Sequence, residues 1–361
     1  MAAQKSILIC PLDWGLGHAS RMVPIIKRLD ARGHRVVIAA DGAGLGFLQD
    51  YFPELEFIRF PGFKPQYSRG NSQVFQMMRS MPKALKSFKE DHQFVEKLIS
   101  SQKIDGLISD NRFGAYTNQV PSVFITHQLH IRIPAFWIFL KPLVDAINIH
   151  YIKRFNQVWV PDNLHEPRLS GKLSFPAFPD FDTYYIGVLS RFSPPEQNHE
   201  KDIDMLFLLS GPEPQRSLLE EKIIVQSTHL EASFCLLRGV PGKNNTPYHL
   251  HKNLLAYDHA DDKTFSALIQ RAKTIVARAG YSSIMDLTAF GRSAWLIPTP
   301  GQTEQEYLAA YLNEKQWFKT INQQQFDLAE ILNSSISENQ ELSTAPKPIN
   351  FEVIDNWADS L

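Results

Sequence analysis

"CPLDWGLGHASRMVPIIKRLDARGHRVVIAA", Cys10 to Ala40, is the stretch on which the fold reading turns. An apolar strand, Ser6 to Cys10, leads into it. A helical pattern then runs from Ser20 to Ala31, with Met22, Ile25, Ile26 and Leu29 on one face. Pro24 marks either a first-turn start or a slight kink. Gly33-His34 closes the helix, and Arg35 to Ala40 is a second β-branched run. Two strands joined through a helix lie parallel, with a right-handed crossover. Between strand and helix stands Gly15-Leu16-Gly17-His18. Gly15 and Gly17 let backbone come close to a ligand, and the helix behind supplies N–H groups and a positive dipole end. Ser20 replaces the third glycine of the G-x-G-x-x-G dinucleotide pattern. Alone, therefore, the turn reads as a connection whose histidine caps something.

The same strand, glycine turn and helix pattern recurs. Ile104 to Ser109, Ser122 to Thr126, Gln157 to Val160 and Tyr184 to Ile186 read as strands. Gln73 to Ser100 reads as a long amphipathic helix interrupted at Pro82. A polar, proline-bearing stretch over 191–202 is the best linker. A second series follows: strand Met205 to Leu209, helix Pro214 to Gln226, strand Phe234 to Leu237, helix Thr264 to Arg271, strand Thr274 to Ala277. The expected architecture is α/β, with two doubly wound Rossmann-like domains facing a cleft, over 1–190 and 203–345. The last segment, 346–361, is expected to be a helix returning to the first domain.

Composition fits this reading. The chain has 361 residues, 43% hydrophobic and 21% charged, enough for two globular cores. A formal net charge of −1 gives no global field for nucleic acid, so an anionic ligand must be gripped locally. The two cysteines, Cys10 and Cys235, lie in separate strand-like runs and read as reduced, buried thiols of a cytoplasmic protein. No signal peptide or apolar run long enough to span a membrane is apparent, so neither is expected. Ile131 to Asn148 is unusually apolar and aromatic, with Arg132, Lys141, Lys153 and Arg154 around it. It reads as a buried helix, or alternatively as a membrane-surface contact or lipid-acceptor groove over 131–154.

Four loops at strand ends carry suggestive side chains. The first holds His18. The second, Ser210-Gly211 after a strand, suits either a phosphate or a proline-stiffened turn. The third is "VARAGYSSIMDLTAFG", Val276 to Gly291. Here Ser282-Ser283 opens a helix behind Arg278-Ala279-Gly280-Tyr281, and Asp286 lies one turn in. A helix N-terminus for a diphosphate and an acid for ribose hydroxyls together make a nucleotide site; an acid that only balances the helix dipole is the other reading. The fourth follows Ile297 and carries Gln305 and Glu306 beside Thr303, which suits sugar hydroxyls or a capping box. The pairs Asp180/Asp182 and Asp202/Asp204 precede strands and read as solvated loop acids rather than metal ligands.

The Gly17-His18 turn, the Ser210-Gly211 loop, Arg278 through Asp286, and Pro298 through Gln305 together resemble nucleotide-sugar glycosyltransferases of the two-domain GT-B type. They look closest to family 28, which includes the group that adds N-acetylglucosamine to a lipid-linked cell-wall precursor. The resemblance implies that the second domain binds a UDP-sugar as substrate, with no cofactor and no metal. Gly280 to Ser283 would meet the diphosphate, Asp286 the ribose, Tyr257 the surroundings of the uracil, and Gln305 with Glu306 the donor sugar. The first domain would bind an acceptor of unknown identity, lipid-linked or glycan, at the inner face of the membrane. The family's glutamate at the ribose position is Asp286 here, and its second glutamine is Glu306. His18 would be the base of an inverting transfer, oriented by Asp110, with His127 structural or acceptor-binding. A UDP-sugar epimerase and a non-catalytic UDP-sugar-binding protein are the competing expectations.

Overall fold

The computed structural model describes residues 4–63, 73–193, 200–240, 246–334 and 347–361, with side chains of the long helix from residue 80 onward. Most of the expected linker, 194–199, lies outside the described residues. The chain divides into two units. The first takes the described residues 4–63, 74–191 and 347–361; the second takes 73 and those from 192 to 334.

The first unit contains β1 (Ser6–Pro11), α1 (Leu16–Ala31), β2 (Arg35–Ala40), α2 (Gly42–Tyr51), β3 (Glu56–Arg59), α3 (Gln73–Ser101), β4 (Gly106–Asp110), β5 (Ser122–Ile125), α4 (Lys141–Ile152), β6 (Gln157–Val160) and β7 (Thr183–Tyr185). Its seven strands run in the order β3-β2-β1-β4-β5-β6-β7, every pair parallel. The near-continuous apolar runs of β1, β2 and β5 follow from this, because a parallel sheet is covered on both faces. Ile7, Leu8 and Ile9 are fully buried. Of α1, the stripe Met22, Ile25, Ile26 and Leu29 faces the core as the periodicity requires.

The second unit contains β8 (Ile203–Leu208), α5 (Gln215–Ser227), β9 (Phe234–Leu237), β10 (Tyr248–His251), β11 (Leu254–Tyr257), α6 (Asp262–Arg271), β12 (Ala272–Arg278), α7 (Tyr281–Ala289), β13 (Trp295–Ile297), α8 (Thr303–Glu314), β14 (Lys319–Thr320) and α9 (Leu328–Asn333). The strand order is β10-β11-β9-β8-β12-β13-β14. Only the edge pairing β10–β11 is antiparallel. One core cluster, including Met205, Phe207, Leu236, Val276 and Ile297, fills the space between sheet and helices. The result is two Rossmann-like α/β units, each with a parallel-dominated sheet.

In both sheets the strand order reverses next to the first strand of the unit, at β1/β4 and at β8/β12. Crossovers there leave in opposite directions, so the loops at the carboxyl ends of these strands spread apart and open a crevice. This geometry decides which loops can hold chemistry.

Several expectations need correction. α1 begins at Leu16 rather than Ser20, so Gly17 and His18 belong to its first turn. Pro24 lies inside α1 and Pro82 inside α3; neither ends its helix. The apolar stretch after β5 is not a buried helix. It forms a 3₁₀ turn, Ala135–Leu140, and then α4. Phe136 is 81% exposed, Phe139 66%, Ile138 60% and Leu143 59%. Only Asn148 and Ile152 of α4 are buried. Asp204 stands within β8 rather than before it.

The last helix, α10 (Phe351–Asp359), is grouped with the first unit. Asn350 caps its N-terminus by accepting from the Glu352 amide. Trp357 meets Trp159 edge-on at 5.6 Å, and Asp355 pairs with Arg28 and Arg32 of α1. Burying Ile354 and Trp357 contributes roughly 2–3 kcal/mol each. Gly106 opens β4 because a Cβ there would stand 2.7 Å from Leu361 Cδ1 and 2.9 Å from the Trp357 ring.

Candidate active site

At the first switch point β1 ends at Pro11, directly beside Asp110 at the end of β4. The Leu12 amide bonds the Asp110 carbonyl at 3.0 Å, which holds the two strand ends together. Gly15 then takes φ +126°, a conformation open to glycine, and caps α1. Three residues later stands His18, in the first turn of α1. Its Nδ1 lies 2.9 Å from Asp110 Oδ2.

Asp110 is fully buried and has a second partner that the sequence reading missed. Arg21, 2% exposed, lies one turn along α1 from His18. Its Nε donates to Asp110 Oδ1 at 2.9 Å and to Oδ2 at 3.0 Å, and its Nη2 also donates to Oδ1. Residues three apart share a helix face, so the spacing His18-x-x-Arg21 was the available signal. Burial alone would raise the Asp110 carboxyl, but the charges of Arg21 and His18 hold it below the usual carboxylate range. For His18, burial and then the Arg21 cation lower its basicity, Asp110 opposes them in part, and His127 adds to the lowering. The imidazole is therefore neutral near pH 7. Because the carboxylate can only accept, Nδ1 carries the proton and Nε2 keeps its lone pair. The His18 side chain is 18% exposed, enough to be reached. His127, after β5, is buried at 4% exposure, with its Nε2 3.5 Å from Gln128 Nε2.

At the second switch point the loops after β8 and β12 leave neighbouring strand ends of the second sheet. Gly211 follows Ser210 and adopts φ +97°. Gly280 caps α7, which starts at Tyr281, so Ser282 and Ser283 stand in the first turn rather than before it. The α7 N-terminus directs its first-turn N–H groups beyond the strand ends. Asp286, one turn further, is half-buried on the face that carries Ser282. Tyr257, half-buried, ends β11. Two expected ligand side chains are placed otherwise. Arg278 is 1% exposed and donates to the Gln215 carbonyl, tying the end of β12 to α5. With no acid beside it, burial pulls its guanidinium down to about 10. Tyr281 is 3% exposed. What these two positions offer a ligand is backbone.

The fourth loop also differs from its sequence reading. The α8 cap is Gln302 rather than Thr303, and its side chain makes no cap hydrogen bond. Instead Gln305 Oε1 accepts from the Thr299 amide and Glu306 Oε1 from the Gly301 amide, each at 2.9 Å. Both side chains brace the loop after β13. Three of the four Asp-x-Asp acids pair with basic groups, Asp180 with Lys153, Asp202 with Arg271 and Asp204 with Lys273, and Asp182 accepts from the Tyr184 hydroxyl. Among the described residues, no cluster of three or more His, Cys, Asp or Glu is placed to hold a metal ion.

Residues 218–353 match the glycosyltransferase family 28 C-terminal domain. No curated protein matches the chain. The fold recurs among solved structures. UGT89C1 of Arabidopsis thaliana, solved with quercetin, superposes with TM-score 0.63 at 11% identity, over 99% of each chain. The spinosyn rhamnosyltransferase SpnG, solved with thymidine diphosphate, gives 0.56 at 13% identity, over 94% of each chain. MurG of Acinetobacter baumannii gives 0.51 at 13% identity, over 92% of this chain and 89% of that one. The fold is thus that of the GT-B glycosyltransferases. Within that fold the match to the family 28 C-terminal domain falls on residues 218–353.

Proposed function

We propose that the enzyme transfers a sugar, N-acetylglucosamine by resemblance, from a UDP-sugar to a hydroxyl acceptor with inversion, and that it needs no metal ion. The carrying observation is the His18 Nδ1–Asp110 Oδ2 contact of 2.9 Å at a switch point, which leaves Nε2 as a proton acceptor. In this reading the acceptor O–H bond breaks and its proton goes to His18 Nε2. The oxygen forms a bond to the anomeric carbon as the bond from that carbon to the diphosphate breaks, and the electron pair leaves with UDP. One displacement turns an α-linked donor into a β-linked product.

The second unit takes the donor. The α7 N-terminus receives the diphosphate and offsets the charge that grows on it, the task a metal ion would otherwise perform. Asp286 accepts from the ribose hydroxyls, Tyr257 lies by the uracil, the Ser210-Gly211 loop approaches the phosphates, and Gln305 with Glu306 lies by the donor sugar. That SpnG was solved with a nucleoside diphosphate supports a nucleotide ligand. Incubation with a UDP-sugar alone separates this reading from an epimerase, which would produce a new UDP-sugar. A protein that binds UDP-sugar yet never releases UDP with any acceptor extract would be a non-catalytic binder.

The acceptor is read as lipid-linked and the setting as the cytoplasmic face of a membrane. The exposed aromatic segment after β5 supports this, since 130–154 carries Arg132, Lys141, Lys153 and Arg154 against one acid, Asp145. Among the described residues no helix is long and apolar enough to cross a membrane, so contact would be at the surface. Two free, buried thiols fit a reducing compartment. Co-sedimentation with vesicles containing phosphatidylglycerol, lost in Phe136→Ser/Phe139→Ser, is the expected result; equal sedimentation of both proteins would overturn the contact.

A further inference from the structure

Asp110 has two customers. An aspartate that serves only a histidine raises that histidine's basicity, because the ion pair with the protonated ring is favourable. Here Arg21 already satisfies the carboxylate through Nε and Nη2, and it is as buried as Asp110 itself. The groups bearing on the His18 ring are Arg21 on its own helix, Asp110 on β4 and His127 after β5. Two of the three are basic. The carboxylate therefore orients Nδ1 without inviting a second proton onto the ring.

The geometry assigns Arg21 as a positioning residue that occupies one side of Asp110 and so keeps His18 neutral and ready to accept a proton. The inference rests on the reading of His18 as base. It adds that the working pH range is set by a residue that never touches substrate. Since Arg21 is 2% exposed and bonds Asp110 through Nε and Nη2, its influence runs through Asp110 and through its own charge.

The test follows the imidazole directly. Proton–nitrogen correlation spectra of the histidine rings, with His18→Gln to assign the signal, give the titration of His18 in wild type, Arg21→Gln and Arg21→Lys. Wild-type His18 is expected to titrate below the ordinary histidine value of about 6.5. In Arg21→Gln the midpoint is expected to rise by about one pH unit or more, with Arg21→Lys between the two. The acid limb of kcat/KM for UDP release moves up with it, while the KM for the UDP-sugar stays constant. A wild-type midpoint at or above 6.5, which needs no variant to fold, overturns the inference. So does a midpoint unmoved in a folded Arg21→Gln, or a loss of rate by one factor at every pH, the mark of a merely structural role. A midpoint that rises while the rate limb stays put would keep the electrostatic link and overturn the base reading instead.

Discussion

The two switch points of this molecule solve the same placement problem with different materials. In the first unit the ends of β4 and α1 carry a network of titratable side chains: His18, Asp110 and Arg21, the last two almost wholly buried. In the second unit the equivalent position carries backbone: Gly211 at positive φ, Gly280 as a cap, and the N-terminus of α7, while the buried Arg278 bonds a carbonyl behind the loop. A proton must be accepted at one atom, which needs a side chain with a tuned lone pair. A diphosphate spreads its charge over several oxygens, which several N–H groups meet without any titrating group.

If this contrast is right, the units should fail differently. The largest effect is expected from His18→Ala: a fall of about 10²–10⁴-fold in kcat for UDP release, with UDP affinity by calorimetry unchanged. Undiminished turnover would dissolve the contrast from its first side. Asp286→Ala should do the opposite, weakening UDP binding about tenfold through loss of a charge-assisted hydrogen bond. Unchanged affinity would remove the ribose role.

Acid should distinguish the units next. His18 is held below its ordinary value, so once pH drops under about 6.5 the unfolded chain binds the proton first and stability declines. Asp110 is also held low, so its contribution is lost as pH falls through its folded value, below the ordinary carboxylate range. Both signs agree. The first unit should lose at most about 1.4 kcal/mol per pH unit for each group as pH falls through these windows. Scanning calorimetry of wild type against His18→Gln between pH 7 and 4 reads the histidine part, and parallel curves would count against the buried network. The smallest effect is expected from Gly211→Ala. Its φ of +97° strains any side chain by about 1 kcal/mol, so UDP affinity should drop only several-fold, with the pH profile of the rate unmoved. A shifted profile would mean that the backbone site is not electrostatically inert.

Much of the site could be read before the structure because it sits on short, punctuated segments. Gly15, Gly211 and Gly280 fall where strands stop and helices begin, and a parallel crossover forces those junctions to one edge of each sheet. What could not be read were contacts across long separations. Arg21 shares a helix face with His18, but nothing in α1 says that both reach for a carboxylate 89 residues from Arg21. Arg278 and Tyr281 stand in a site-like motif, yet their side chains pack inward. Gln305 and Glu306 look like sugar readers or cap residues, and each spends an oxygen on its own loop.

The aromatic run after β5 shows the same limit. Its composition matches a core helix, yet in the fold Phe136 and Phe139 stay outside. Sequence by itself determined the alternation of strand and helix, the two-unit plan and the residue types at each strand end, because periodicity, glycine and chain handedness are local properties. The tertiary structure alone decided which side chains meet, which are sealed in and which charge a histidine feels, because burial and electrostatics depend on neighbours that the chain brings together only by folding.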